Sequence, residues 1–196
     1  ATLPETQGFS IIGAAISDYS GWPVSGAGDV NGDGYADILI GAPNADPNVK
    51  SAAGASYVVF GKATGFTSIF LSSLSATQGF SINGATANDY SGASVSEAGD
   101  VNGDGYADVL IGAYGADIGG DASGTTYVIL GGPAEPTPTP TTIPSMSPTL
   151  TAVPTMPSAA PTYNTLSNIN LGSLTEAQGS SIIGDAAGDN SGWSVS

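Results

Sequence analysis

Two stretches of this sequence concentrate the oxygen-bearing side chains that bind hard metal ions. The decapeptide GDVNGDGYAD occurs at residues 28–37 and again, letter for letter, at 99–108. From its first Asp, Asp or Asn side chains stand at positions 1, 3, 5 and 9, so alternate residues can face one centre. Glycine at position 6 permits a sharp reversal that brings the position-7 carbonyl to the same centre. The predicted calcium ligands are Asp29, Asn31, Asp33, the carbonyl of Tyr35 and Asp37, and in the second copy Asp100, Asn102, Asp104, the carbonyl of Tyr106 and Asp108.

The identity of the metal follows from the donor atoms. Oxygen ligands favour Ca²⁺ over transition metals, and Mg²⁺ would keep more water. Neither copy has a glutamate at position 12 as an EF-hand does, so Asp37 and Asp108 have to close the sites. The alternative is a polar hairpin turn that needs no metal. Two identical copies argue against this alternative, because three carboxylates held within a few ångströms repel one another unless a cation neutralises them.

The composition restricts the function further. The chain has 17 acidic residues, two lysines, no arginine and no histidine, and its net charge is −15. It cannot supply the basic patch that nucleic acid or an anionic membrane surface requires. Without histidine or cysteine it also lacks the commonest general base and the thiolate nucleophile, so we predict no enzymatic activity. No apolar run approaches the ~20 residues of a membrane-spanning helix, and we predict no membrane span.

Internal repetition organises the chain. The stretch from Leu3 to Pro43 returns from Leu74 to Tyr114, an offset of 71 residues (3 to 74), and its first part returns at 174–196. Each repeat contains short β-branched or alternating segments bounded by Gly, Asn, Asp or Pro, which are typical of strands. The sequence therefore predicts an all-β fold in which each repeat forms a unit of four antiparallel strands.

The motifs FSI.G, D.SG..VS.AGDVNGDGYADILIGAP and GASYVVFG, in this order, resemble the FG-GAP repeats of integrin α-chain β-propellers and of many secreted microbial and algal proteins. The resemblance implies propeller-type blades of four antiparallel strands, with calcium in the hairpin loop between the first two strands. It implies the same ten ligand positions. A closed propeller takes about four to eight blades, whereas this sequence has two full repeats.

The predicted organisation is an FG-GAP repeat at 1–71, a second at 72–132, a Pro/Thr/Ser-rich linker at 133–162 and the first part of a third repeat at 163–196. Proline at every two to four positions favours an extended, polyproline-II-like linker. Its Thr and Ser content is typical of an O-glycosylated stalk; the alternative is an unmodified disordered linker. The candidate O-glycosylation sites are Thr137, Thr139, Thr141, Thr142, Ser145, Ser147, Thr149, Thr151 and Thr155.

Lesser expectations concern residues outside the acidic loops. The aspartates of the D.SG motif are expected to form turns rather than to bind metal; they are Asp18, Asp89 and Asp189. The two tryptophans, Trp22 and Trp193, are expected to be packing residues. The tyrosines of the third strands, Tyr57 and Tyr127, are expected to lie in the core between blades.

Two function classes compete. The first is an extracellular, calcium-stabilised structural protein that self-associates into a homopolymeric fibre or matrix. The connection from Gly61 to Gln78 spans 17 positions and that from Gly131 to Gln178 spans 47, so 30 more residues precede the last strand. We therefore predict that this strand pairs with a different subunit. The alternative is an integrin-like propeller fragment, at the cell surface, that binds a glycan or another protein in adhesion. The apparent lack of an exposed aromatic or basic cluster favours the structural protein.

Overall fold

A computed structural model describes residues 7–118, 121, 123–133, 168–174 and 178–183 of the chain. These residues form eleven strands and three short 3₁₀ turns and contain no α-helix. The all-β prediction is therefore confirmed. The strands are β1 Ile11–Ile12, β2 Val24–Gly28, β3 Asp37–Ala42, β4 Ala55–Val59, β5 Ile69–Phe70, β6 Gly79–Asn83, β7 Ser94–Gly99, β8 Asp108–Ala113, β9 Thr125–Ile129, β10 Ile169–Asn170 and β11 Gly179–Ile183, and the 3₁₀ turns are Pro47–Val49, Leu71–Ser73 and Leu171–Ser173.

Two antiparallel sheets of the same design make up most of the fold. The first has the order β2, β3, β4, β6 and the second the order β7, β8, β9, β11. In both, the register shifts just before the acidic loop, between Gly26 and Gly28 and between Glu97 and Gly99. Such bulges sharpen the twist where the strand enters the loop.

Apolar side chains of the central strands hold the two sheets together. One buried cluster combines residues of both, including Leu39, Val58, Ile82, Val109 and Ile111. Central strands covered on both faces require such near-continuous apolar sequences, which explains the ILI, YVV and VLI runs. Tyr57 and Tyr127 are both buried. Tyr127 belongs to the cluster that joins the two sheets, as expected, whereas Tyr57 belongs to a second cluster formed by the first sheet with β5 and the residues around it.

The outer strand of each sheet comes from the start of the next sequence repeat. The fourth strand of the first sheet is β6, with the short β10 beyond it, and the second sheet ends with β11, which follows the linker and pairs with β9 of the same chain, Gly179 opposite Ile129. The prediction that this strand pairs with a different subunit is wrong for the described structure. Loop-closure entropy grows only with the logarithm of loop length, so lengthening the connection from 17 to 47 positions costs only about 1 kcal/mol.

Two short strands were not predicted. β5 runs parallel to β1, with Ile11 opposite Ile69, and β10 runs parallel to β6, with Ile82 opposite Ile169. In each case the segment that leads into an outer strand first runs beside the equivalent strand of the preceding repeat. This arrangement ties successive repeats together, although two residues are too few to be recognised as a strand from sequence.

Among the residues expected to form turns or to pack, the two described aspartates form turns, whereas the described tryptophan does not pack. Asp18 accepts a hydrogen bond from Ala15 N and Asp89 accepts one from Thr86 N, at 3.0 and 2.9 Å, as expected for turn formers. Trp22 is not a packing residue, because 74% of its surface is exposed. The turn before β2 directs the indole outwards, although a large apolar side chain had been expected to pack inside the protein. Trp193 and Asp189 lie outside the described residues.

Residues 134–162 of the linker, with all the candidate glycosylation sites, also lie outside the described residues, as does most of the third repeat. The domain boundaries therefore stay a prediction. None of the helical turns in the described part of the chain has the length or apolar character needed to cross a membrane.

Candidate metal-binding loops

The first acidic loop joins β2 to β3 and is folded by its own side chains. Asp29 accepts hydrogen bonds from Asp33 N and Gly34 N at 3.0 and 2.8 Å. Asn31 Oδ1 accepts from Asp33 N at 2.9 Å, and its Nδ2 donates to Asp33 Oδ2 at 3.0 Å. Gly34 has φ +87°, the left-handed conformation that the position-6 glycine was predicted to supply. Thus the oxygens at positions 1, 3 and 5 lie together.

The second loop, between β7 and β8, repeats this network. Asp100 accepts from Asp104 N and Gly105 N at 3.1 and 2.9 Å, and Asn102 Nδ2 donates to Asp104 Oδ2 at 2.9 Å. The many N–H groups that Asp100 accepts, that of Gly105 first, lower its pKa below the usual range. Two loops of identical sequence have therefore reached the same backbone conformation in different surroundings.

The position-9 aspartates occupy a different environment. Asp37 is only 2% exposed and Asp108 is fully buried. Each carboxylate accepts two backbone N–H groups: Asp37 from Val30 and Gly61 at 2.9 and 2.8 Å, and Asp108 from Val101 and Gly131, both at 2.8 Å. These aspartates clamp the loop to the start of the next strand and to the end of the third strand.

Burial is the main cause that raises the pKa of Asp37, to about 6, and the nearby Asp33 and Asp29 carboxylates add to it. The pKa of Asp108 is also raised, first by burial and then by Asp104 and Asp100. The acidic side chains of each loop are thus close enough to repel one another. The described lysines are used elsewhere, since Lys50 donates to Ala85 O and Lys62 lies over the ring of Phe66. An external cation would relieve this repulsion.

The oxygen atoms of the loops are the type of ligand that calcium binds, and those at positions 1, 3 and 5 lie close together. Each loop gathers two carboxylates and one amide from positions 1, 3 and 5. Within the described residues, however, no three acidic, histidine or cysteine side chains are grouped to hold a metal ion, and both oxygens of each position-9 aspartate accept backbone N–H groups. A carboxylate oxygen has two lone pairs, so these bonds leave a second lone pair for a cation. The ten predicted ligands therefore remain a prediction compatible with this arrangement.

The two loops also contact each other, which the sequence did not predict. The ring of Tyr106 lies against Gly32, where a Cβ atom would come within 2.4 Å of the ring. Ala107 N donates to Asp29 O at 3.0 Å. The Glu97 carboxylate lies against Gly28 in the same way. Of these contacts, only that of Glu97 could have been suspected from the sequence, because the second repeat has Glu97 where the first has Gly26.

The FG-GAP repeat family model matches residues 21–59 and 85–129, and each match contains one whole acidic loop with the strands on either side. Both sequence repeats are therefore similar to FG-GAP repeats. Integrin alpha pat-2 of Caenorhabditis briggsae is 36% identical to this chain over 94 residues, which are 48% of the chain and 7% of that protein. The chain therefore matches only a small part of this integrin alpha. The FG-GAP repeats and this relative point to a non-enzymatic repeat domain.

The buried aspartates at position 9 of the two loops predict the pH dependence of the metal-free protein. An unfolded aspartate has a pKa of ~3.9, so the folded chain binds the Asp37 proton more tightly between about pH 4 and 6. In a chelator, we expect the melting temperature to rise as the pH falls from 7 to 5. Protonation of other carboxylates also lowers the net negative charge and raises the melting temperature in the same pH range. The diagnostic result is therefore a smaller rise in melting temperature for Asp37→Asn than for the parent chain. Equal responses in the two proteins would contradict this assignment.

Proposed function

We propose that the chain is a calcium-stabilised, non-catalytic module of an extracellular or cell-surface protein and acts in adhesion by binding a protein or glycan. The two FG-GAP repeats and the likeness to an integrin alpha support this class. The observation that carries the calcium part is the pair of identical acidic loops, which have the same hydrogen-bond network and pack side by side. The two antiparallel sheets would then be adjacent blades of a propeller.

The chain's own groups have distinct parts in this proposal. Asp29, Asn31 and Asp33 would bind the first cation from the loop, and Asp37 would bind it from the sheet while keeping its two N–H partners. The equivalent residues would bind the second cation. Bound calcium would supply the positive charge that the composition lacks. Because Ala107 N bonds Asp29 O across the two loops, ordering one loop would also support the other.

A structural fibre is the second candidate. It is favoured by the repeated way in which successive repeats join through β1 with β5 and β6 with β10. Such a fibre would not form through exchange of β11, because this strand pairs within its own chain. A glycosylated linker over residues 133–162 remains part of both proposals.

Arrays of glycans and extracellular matrix proteins, probed with the fluorescently labelled chain, test the adhesion proposal. We expect binding that requires calcium and is lost in Asp33→Asn/Asp104→Asn, since these changes remove one loop charge at each site. Asp121→Asn, which removes an exposed charge outside the loops, is the matched control.

Analytical ultracentrifugation of the same samples separates the two candidates. A discrete species that binds the array supports the adhesion module. Calcium-dependent polymers whose size grows with protein concentration, without array binding, would replace it with the fibre.

A further inference from the structure

A groove of about 420 Å³ opens between the two repeats, and aromatic rings dominate its lining. It lies beyond the ends of β3 and β8, whereas the acidic loops precede the starts of these strands. The lining residues are Tyr19, Trp22, Pro43, Asn44, Tyr90, Ala93 and Tyr114. This groove contradicts the expectation that the protein lacks an exposed aromatic cluster. Proximity in the fold, and not in the sequence, assembles it.

Two rings of the groove are exposed to solvent, and two others stack on each other. Tyr19 and Trp22 are 60% and 74% exposed. The rings of Tyr90 and Tyr114 are stacked, with centroids 5.1 Å apart and an interplanar angle of 2°. The second repeat has Ala93 where the first has Trp22, so the groove is open beside the stacked pair. Ridges of aromatic rings separated by a gap form the type of surface that receives proline rings.

Two of these tyrosines adopt a backbone conformation that is costly for such a residue. Tyr19 has φ +55° and Tyr90 φ +53°, in equivalent turns of the two repeats. Glycine or asparagine would fit this left-handed region with less strain, and the third copy does have asparagine there, Asn190. Strain of this kind concentrates at binding sites. The strained backbone therefore points to a role for the tyrosine side chains that the turn itself does not require.

The polar character of the groove restricts its ligand. None of its seven lining residues is charged, and the protein as a whole has a net charge of −15. An anionic ligand is therefore disfavoured, and no basic side chain is present to bind one. The indole N–H of Trp22, the hydroxyls of Tyr19 and Tyr90 and the Asn44 amide can donate hydrogen bonds. An uncharged ligand with free carbonyl groups matches this set, and a polyproline II helix has all its carbonyls free.

We infer that the groove binds a polyproline II segment, and that the segment is PTPTPTTIP, residues 136–144 of the same chain. This stretch lies within a run, 136–161, that has no charged residue. The inference does not depend on calcium binding or on adhesion. It gives the proline-rich linker a partner within the protein.

The length of chain between the two described segments permits this contact. Gly132 N donates to Val30 O, so the chain leaves β9 at the acidic-loop end of the sheets. The groove lies about one strand length away, ~20 Å for six residues. The chain next returns at Asn168, whose side chain accepts from Ser81 N at the edge of β6. The 34 residues from 134 to 167 could span ~105 Å as polyproline II, which is enough to cross the groove and return.

Quenching of Trp22 fluorescence by acrylamide tests the inference in the full chain. Trp193→Phe leaves Trp22 as the single tryptophan. Replacing residues 136–161 by a Gly/Ser segment of equal length should raise the quenching constant about 2-fold, because a docked proline covers one face of the indole. A synthetic peptide of residues 136–144 should then restore protection saturably, whereas the same peptide with alanine for proline should not.

Two further variants test whether the peptide binds in the groove. In the Gly/Ser background, Tyr19→Ala should weaken peptide binding about 10-fold or more, as expected for an aromatic anchor. Ile16→Ala is the control, since Ile16 is 96% exposed but does not line the groove. Equal quenching with either linker would overturn the inference. So would protection that rises with protein concentration, which indicates a second copy as the occupant, or displacement by oligosaccharides without peptide binding.

Discussion

Removal of calcium is expected to lower the melting temperature of the protein by about 10–20 °C. A ligand that binds only the folded state at 100 times its Kd adds about 2.7 kcal/mol per site, and 1 kcal/mol shifts the melting temperature of a domain of this size by about 2–4 °C. Two sites therefore account for the shift. Differential scanning calorimetry in excess calcium and in chelator measures it, and isothermal titration should give a stoichiometry of two.

Conservative variants separate metal binding from loop folding. Asp33→Asn and Asp104→Asn keep an oxygen that can accept the N–H of the following tyrosine. Each removes one charge and one exposed hydrogen bond, from the side chain of Asn31 or Asn102. Each should lose one bound calcium and about half of the shift, while the melting temperature in chelator stays close to that of the parent chain. Asp121→Asn should retain both sites. A parent protein that takes up no calcium and melts at the same temperature in chelator would refute the assignment of the loops.

Gly54→Ala should cost more than about 4 kcal/mol, a loss reserved for a few severe mechanisms. Gly54 is buried, has φ +81° and forms a bridge with Ser91, which belongs to the following repeat. A Cβ atom at this position would lie 2.1 Å from Ser91 O and 2.5 Å from Ser91 N. Both atoms belong to the backbone, so the contact cannot be relieved by a side-chain rotation and the two repeats must separate.

A second glycine isolates the backbone strain from the clash. Gly65 has φ +74°, but a Cβ atom there would have nothing within 4 Å. Gly65→Ala should therefore cost only the left-handed conformation, about 1–2 kcal/mol. Urea unfolding of both variants in saturating calcium measures the difference. Similar losses in the two variants would show that the repeats do not depend on close approach at Gly54.

Much of the local structure could be predicted because it depends on neighbouring residues. The loop network joins positions 1, 3, 5 and 6 of one nine-residue stretch, so it could be inferred from the spacing of Asp29, Asn31 and Asp33. Strand segments followed from apolar runs bounded by turn residues. The position-9 aspartates were harder to place. Their N–H partners include Gly61 and Gly131, which lie 24 and 23 residues further along the chain.

The pairing of the last strand, β11, shows why the sheet topology was harder to predict from the sequence than the local structure. Residues 179–183 have a strand pattern wherever they pair, and the length of the preceding linker does not select a partner. Pairing within the chain depends on β9 presenting a matching edge. The hydrogen bonds of an edge are the same whether the added strand is local or foreign.

By itself, the sequence determined the all-β class, the likeness of its two repeats to FG-GAP repeats, the anionic character and the conformation of each acidic loop, since these depend on composition or on residues a few positions apart. The tertiary structure alone decided that β11 pairs with β9 of its own chain, that Tyr106 packs on Gly32, and that Trp22 faces solvent beside Tyr90 and Tyr114. These features join residues of different repeats. Their contacts depend on how one sheet packs against the next, and no local pattern records that geometry.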